Sequence, residues 1–167
     1  EYGEKYNVKE NISLKSVFQS TSSDYQTVMK ESSGKEIFYT RKFQNGEKEK
    51  FDVNGRLVRK VDANANYINL LYNDKGYLVQ IQDNSNNQIQ FSYNPQGRIA
   101  KLVSPKGGEV NYAYDKDGNL TEVSKLGTVT KMAYDNLHNL TKIEEFSDAK
   151  KKTADSVRVL AYYTKSD

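Results

Sequence analysis

Aspartate and asparagine side chains two residues apart, the spacing of oxygen ligands around a calcium ion, occur as Asp115-Lys116-Asp117-Gly118-Asn119 and as Asp62-Ala63-Asn64-Ala65-Asn66. A calcium loop of the EF-hand type also needs glycine at its sixth position and a bidentate acid at its twelfth. Counted from Asp62 those positions hold Tyr67 and Asn73, and counted from Asp115 they hold Leu120 and Leu126. Neither run completes a ligand set, and Asp, Asn and Gly are also the residues of tight turns. His138 is the single histidine, which excludes multi-histidine metal sites and leaves a histidine-dependent triad one candidate. Glu144-Glu145 is the nearest approach to a catalytic acid pair. Neighbours on a strand point to opposite faces, so these two carboxylates cannot flank one glycosidic bond. Glycine-rich phosphate loops, nucleophile elbows and zinc spacings are missing, and with no cysteine there is no thiol or disulfide chemistry. No catalytic, cofactor or metal residue is therefore expected. Lys150, Lys151 and Lys152 remain as candidate contacts to an acidic partner or a membrane surface, with a solvated loop as the competing reading.

The elements that must position these residues repeat. Phe51-Asp52-Val53-Asn54-Gly55-Arg56-Leu57 returns as Tyr72-Asn73-Asp74-Lys75-Gly76-Tyr77-Leu78, then as Tyr93-Asn94-Pro95-Gln96-Gly97-Arg98-Ile99 and Tyr114-Asp115-Lys116-Asp117-Gly118-Asn119-Leu120. A fifth copy, Tyr134 to Leu140, has His138 in the glycine slot, and the aromatic anchors lie 21, 21, 21 and 20 residues apart. A fixed period of this length marks a repeat architecture. Before each anchor, apolar residues alternate (Ile68-x-Leu70-x-Tyr72, Ile89-x-Phe91-x-Tyr93, Val110-x-Tyr112-x-Tyr114), the pattern of a strand with one covered face. Asn94, Pro95 and Gly97 suit a type I turn closed by a left-handed glycine. In the second strand, apolar residues stand three apart (Ile99 and Leu102, Leu120 and Val123, Leu140 and Ile143), which means either a bulge inside that strand or partial cover of both its faces, and the preceding glycine favours the bulge. The far end of each repeat reads as a looser polar turn. The expected fold is all-β, an antiparallel meander of 21-residue hairpins in a curved, twisted sheet, with the anchors in one aromatic column. Those tyrosines are either covered core or a platform for sugars. His138 is read as a tolerated left-handed residue, so His138→Gly and Asn139→Gly are both expected to stabilise.

One domain, 1–167, is expected: lead-in or capping strands over 1–42, five repeats over 43–143, and an insertion with a partial last repeat over 144–167. Ile12 to Phe18 and Tyr25 to Met29 read as weak strands, and Asn45-Gly46 as a hairpin turn. Leu160-Ala161-Tyr162 resembles the next anchor strand but arrives 28 residues after Tyr134, so about seven residues are inserted near 148–156, as a loop or a short helix. The composition is polar, with mean hydropathy -0.86, 36% hydrophobic residues and thirteen tyrosines, which fits a sheet with a wet face. A net charge of +3 with both signs interspersed gives no basic face for nucleic acid, and no run is long and apolar enough to span a bilayer. The chain starts at Glu1 without methionine, the expectation for a processed product or a fragment.

The signature resembles the YD repeat of the RHS/YD-repeat family, with Tyr-Asp-x-x-Gly-Arg-Leu followed by a short strand and a turn with Asp. The match runs in register from about Phe43 to Ile143. Arg56 and Arg98 fit the family's Gly-Arg-Leu, whereas Tyr77, Asn119 and Asn139 depart from it; Asp62 and Asp83 fit the far-turn Asp. The resemblance implies a non-enzymatic structural module of a secreted or cell-surface bacterial protein, part of a β-sheet shell (a partial YD shell) enclosing or presenting another polypeptide such as a toxin. Its partners would be other YD repeats or that polypeptide, with no cofactor. Family members that cut themselves use paired aspartates in a motif containing Asp-Pro, which this chain lacks. The alternative is an adhesion module that binds carbohydrate or protein.

Overall fold

The computed structural model describes residues 17–19, 27–33 and 36–162, and places in them fourteen strands that follow one another in chain order. No helix occurs among the described residues. The expected lead-in strands are present as far as they are described; residues 12–16 and 25–26 lie outside the described residues.

The chain divides into two compact units, 1–72 with 81–87 and 73–80 with 88–167. The first contains β1 (Val17–Gln19), β2 (Thr27–Ser33), β3 (Glu36–Lys42), β4 (Lys48–Phe51), β5 (Leu57–Val61) and β6 (Tyr67–Tyr72). The unit boundary crosses β7 (Leu78–Asp83), and the second unit continues with β8 (Gln88–Tyr93), β9 (Ile99–Val103), β10 (Glu109–Tyr114), β11 (Leu120–Lys125), β12 (Thr128–Tyr134), β13 (Leu140–Phe146) and β14 (Ser156–Val159). From β1 to β6, and from β8 to β14, each strand pairs antiparallel with the next.

Alternation decides the faces. On β10, Val110, Tyr112 and Tyr114 are half-buried while Glu109, Asn111 and Ala113 are exposed. The side opposite the anchors carries charges of alternating sign: Glu122 faces Lys131, and Lys131 faces Glu144 across the next pair. Lys101 to Glu109 at 2.6 Å and Lys142 to Glu144 at 2.7 Å add ion pairs, each worth under about 1 kcal/mol at such exposure. Among the described residues only Val129 (8% exposed) and Thr40 (6%) are buried. Both lie on the side opposite the anchors, Val129 in line with Lys131 and Thr40 opposite Lys50, and the aromatic side is only half-covered, where the alternation in sequence suggested a core. Thr40 is held by its hydroxyl, 2.5 Å from Oε2 of Glu31.

One turn recurs at both ends of the hairpins. In 52–56 the Gly55 N–H donates to the Asp52 carbonyl (3.0 Å) and the Asp52 N–H to the Arg56 carbonyl (3.0 Å), with Gly55 at φ 77°. The same two bonds close 94–98 with Gly97 at φ 80°, which is the type I turn expected of Asn94-Pro95-Gln96-Gly97. The far turns are not looser. Asp62 to Asn66, Asp83 to Asn87 and Ser104 to Gly108 repeat both bonds, with Ala65, Asn86 and Gly107 left-handed. Asn45-Gly46 forms its hairpin in this way as well, through Gly46 N–H to the Phe43 carbonyl, so only Gly46 takes positive φ. The shortened turn 125–128 differs, with Leu126 and Gly127 both left-handed (φ 50° and 85°), the geometry of a two-residue type I′ turn.

The expected bulge is present, three residues beyond the turn glycine. Tyr114 faces Leu120 but Ala113 faces Glu122, which leaves Thr121 unpaired. Tyr134 with Leu140, Tyr93 with Ile99 and Phe51 with Leu57 show the same shift, leaving Thr141, Ala100 and Val58. The extra residue reverses the strand's parity. Val123 therefore faces Tyr112, and Leu102 faces Phe91, on the anchor side. The apolar spacing of three is the sequence record of that reversal. Thr121 and Thr141 turn their hydroxyls to the Ala113 and Ala133 carbonyls at 3.3 and 3.1 Å.

The insertion over 147–155 is a loop of turns and bends. Its Ala149 N–H donates to the Gly127 carbonyl at 2.7 Å, and Asp155 accepts from the Ser147 N–H at 2.6 Å, which closes the loop on itself.

His138 sits at φ 64°, so His138→Gly should raise stability by up to about 1 kcal/mol in urea unfolding. The expectation for Asn139→Gly reverses. Asn139 is outside the left-handed region, and its Nδ2 donates to Asp135 Oδ2 at 3.0 Å. Its replacement should cost about 0.5–1.5 kcal/mol in the same measurement.

Candidate functional site

The chain's most repeated constellation joins one repeat to the next. The bulge ends the ladder on the following side of the second strand: β9 pairs with β10 only as far back as Lys101, and β11 with β12 only to Glu122. The carbonyls of Ile99 and Leu120 lie beyond those last pairs, and a part-buried carbonyl without a donor is costly. The next anchor supplies the donor. Tyr114 Oη donates to the Ile99 carbonyl at 2.9 Å, and Tyr134 Oη to the Leu120 carbonyl at 2.9 Å. Tyr93 does the same to Leu78 at 2.7 Å in the second unit, and Tyr72 to Leu57 at 2.9 Å in the first. Tyr162 Oη reaches the Leu140 carbonyl at 2.9 Å across a sequence separation of 22, although the interior latches span 14 or 15. The insertion therefore leaves the sixth anchor in its place.

The residue after the turn glycine covers the next anchor ring. The Arg56 guanidinium carbon lies 5.0 Å from the Tyr72 ring centre, and that of Arg98 lies 5.7 Å from Tyr114. Tyr77 stacks on Tyr93 at 4.7 Å with 22° between planes. Equivalent anchors stand roughly 9.6 Å apart, two strand spacings, which is too far for direct stacking. The aromatic column read from the sequence missed both the hydroxyl bonds and the covering side chains. The i, i+3 spacing that betrays the bulge was the available signal for an orphaned carbonyl.

The suspected calcium runs are turn machinery. Asp115 Oδ1 accepts from the N–H of Asp117 (3.0 Å) and of Asn119 (2.9 Å), while its Oδ2 accepts Asn119 Nδ2 at 2.9 Å. Asp62 is bound identically by Asn64 and Asn66. The side-chain amide of Asn66 and the backbone N–H groups hold the Asp62 carboxyl below its ordinary range, and Asn119 and Asn139 do the same for Asp115 and Asp135. At Asp52 slight burial opposes, but the Arg56 and Asn54 bonds prevail and the shift is again downward. No group of three or more His, Asp or Glu side chains among the described residues is arranged to hold a metal. His138 Nδ1 lies 2.9 Å from Asn119 Oδ1. Glu144 and Glu145 face Lys131 and Thr130 respectively, on opposite sides of the sheet, with partners Lys142 and Arg158.

Of the three lysines, Lys151 is bound within the loop to Asp155 and to Ser147 Oγ (2.9 Å), and Lys150 and Lys152 are exposed. The Lys151 ammonium beside Asp155, with the Ser147 N–H, lowers the Asp155 carboxyl from 3.8 to about 2.

A family model described as Teneurin YD-shell matches residues 1–135. No curated protein sequence matches. Solved structures similar in fold include three that contain TcdB2-TccC3. One is TcdB2-TccC3 without its hypervariable C-terminal region, at TM-score 0.55, 15% identity, 72% of this chain and 7% of that one. Another is TcdB2-TccC3-Cdc42, at TM-score 0.52, 12% identity, 78% of this chain and 8% of that one. The third is TcdB2-TccC3-TEV, at TM-score 0.50, 18% identity, 73% of this chain and 7% of that one. The chain thus spans less than a tenth of each of these chains.

Tyr114→Phe should lower stability by about 0.5–1.5 kcal/mol in urea unfolding, because the Ile99 carbonyl loses its donor. Tyr162→Phe should cost less, since Tyr162 is 55% exposed and water can replace its hydroxyl. The turn aspartates titrate lower folded than unfolded. Their contribution is thus complete above 3.8 and disappears as pH falls through the folded values, for Asp155 between 3.8 and about 2. Urea midpoints recorded from pH 5 to pH 2 should decline across that window, and Asp155→Asn should flatten part of the decline.

Proposed function

From the premise that this chain belongs to the Teneurin YD-shell family, we propose that it is a stretch of non-catalytic wall in a secreted or cell-surface bacterial protein. Its sheet contributes to a shell that encloses or presents another polypeptide, such as a toxin. The observation that carries this reading is the tyrosine latch, repeated from Tyr72 to Tyr162. Hydroxyls and rings that an adhesive surface would offer to sugars are engaged between repeats. A unit that satisfies its own orphaned carbonyls through its neighbour is suited to continue indefinitely, as a wall requires. Similarity in fold to the TcdB2-TccC3 structures adds support for the shell architecture. Its partners are then further YD repeats and the enclosed chain, with no cofactor needed. Contact with an acidic partner falls to Lys150, Lys151 and Lys152 on the 147–155 loop.

Limited proteolysis of the natural polypeptide that carries these repeats tests the proposal. An enclosed segment should resist cleavage at least about tenfold longer than the same segment produced alone. Equal rates would remove enclosure. Glycan-array binding that vanishes on Tyr162→Ala, with the far-ultraviolet circular dichroism unchanged, would instead make the module an adhesin.

A further inference from the structure

Tyr77, Arg98 and Asn119 occupy the same place in successive signatures, directly after the glycine slot. Each meets the glycine slot of the signature that follows. A Cβ added to Gly97 would stand 3.0 Å from Cζ of Tyr77, and one added to Gly118 would stand 2.7 Å from Cζ of Arg98. Gly55, in the first signature, has nothing within 4 Å of such a Cβ, although its φ of 77° is as left-handed as the 80° and 91° of the other two. At 97 and 118 crowding by the covering side chain is thus added to the positive φ that all three glycines share. At the next junction both partners change together: the covering residue is the short Asn119, and the slot holds His138, bonded to it at 2.9 Å.

We infer that these two positions form a pairing code that fixes which signature can follow which. A long covering side chain, Tyr77 or Arg98, occupies the place of a slot Cβ and must swing aside to admit one, giving up its contact with the next anchor ring, whereas a short amide leaves room for a histidine and bonds to it. The partner this surface accepts is thus a YD-type repeat with the matching slot. Repeats of one period can pair in the wrong order, whether by slipping one repeat along the sheet or by taking a hairpin from a second copy of the chain. A shift by a whole repeat preserves the alternation of faces, so the strand pattern alone does not oppose it. Pairing out of step by one repeat would set Arg98 over His138 or, between two copies of the chain, Asn119 over the other copy's Gly118, losing either the space or the bond. Mismatch then rejects the wrong neighbour, as a built-in repulsion does in other specific interfaces. The inference holds whatever the finished wall surrounds.

Urea unfolding of the 167-residue chain, with amide exchange of β11 and β13 as a local readout, tests the code through two mutant cycles. Gly118→Ala should lower the midpoint more than Gly55→Ala, and the excess should disappear in an Arg98→Ala background. Asn119→Arg should lower the midpoint while His138 is present and should not when combined with His138→Gly. Each cycle should show a coupling of at least about threefold in the unfolding equilibrium constant. Should Gly118→Ala fail to fold, Gly97→Ala with and without Tyr77→Ala replaces it. Equal costs at Gly55 and Gly118, together with additivity of Asn119→Arg and His138→Gly, would overturn the code.

Discussion

A carbonyl oxygen stranded by a bulge is the constraint around which each repeat is organised. The extra residue after Leu57, Ile99, Leu120 or Leu140 interrupts the ladder. It also restores the following apolar residue to the anchor side, so that Val123 and Leu102 face aromatic partners. The same irregularity leaves a main-chain acceptor that the strand pair cannot satisfy. A tyrosine from the next hairpin satisfies it, and that bond links adjacent repeats. Sequence period, strand parity and the contact between repeats thus have a common origin.

Stability in such a sheet is distributed. With only Val129 and Thr40 buried among the described residues, no layer-on-layer core supplies the bulk of the folding free energy. What remains are ladders, half-covered aromatic contacts, cation–ring contacts and the carboxylate-capped turns. Individually these are small, and they matter because every repeat has them. Turns at both ends share one chemistry at Asp52, Asn73, Asp83, Asn94 and Asp135, where a carboxylate or amide oxygen accepts two N–H groups. Among the described residues β14 is the last strand of the order, and Val159 in it is 78% exposed. An open strand edge is a template for another strand.

Much of this was legible in the residues. The 21-residue spacing, the alternation before each tyrosine and the Asp-x-x-Gly turn gave the meander, the hairpins and the left-handed His138. The spacing of three after Ile99 and Leu120 gave the bulge. Three things were not legible. Aromatic periodicity reads alike for a tyrosine in a core and a tyrosine whose hydroxyl bonds a carbonyl 15 residues away, since the bond partner is main chain and leaves no side-chain trace. The far turns looked loose because Ala65 and Asn86 replace glycine, yet both adopt its conformation. The role of Asn139 was misread because its neighbour His138, not Asn139 itself, holds the left-handed position. Asn119-Leu120-Thr121 and Asn139-Leu140-Thr141 fit a glycosylation pattern by letter. In the fold their asparagine amides tie the turn and their threonines bridge the bulge.

The loop over 147–155 shows what kind of ruler the sheet uses. Tyr162 finds the Leu140 carbonyl despite the extra residues between them. Phase is therefore counted in strands, not in amino acids, and the corners of the hairpins are free to differ in length. Diversity can accumulate at such corners while the panels stay aligned. An epitope or a small reporter domain spliced at exposed Thr153 would leave the strands on either side in step.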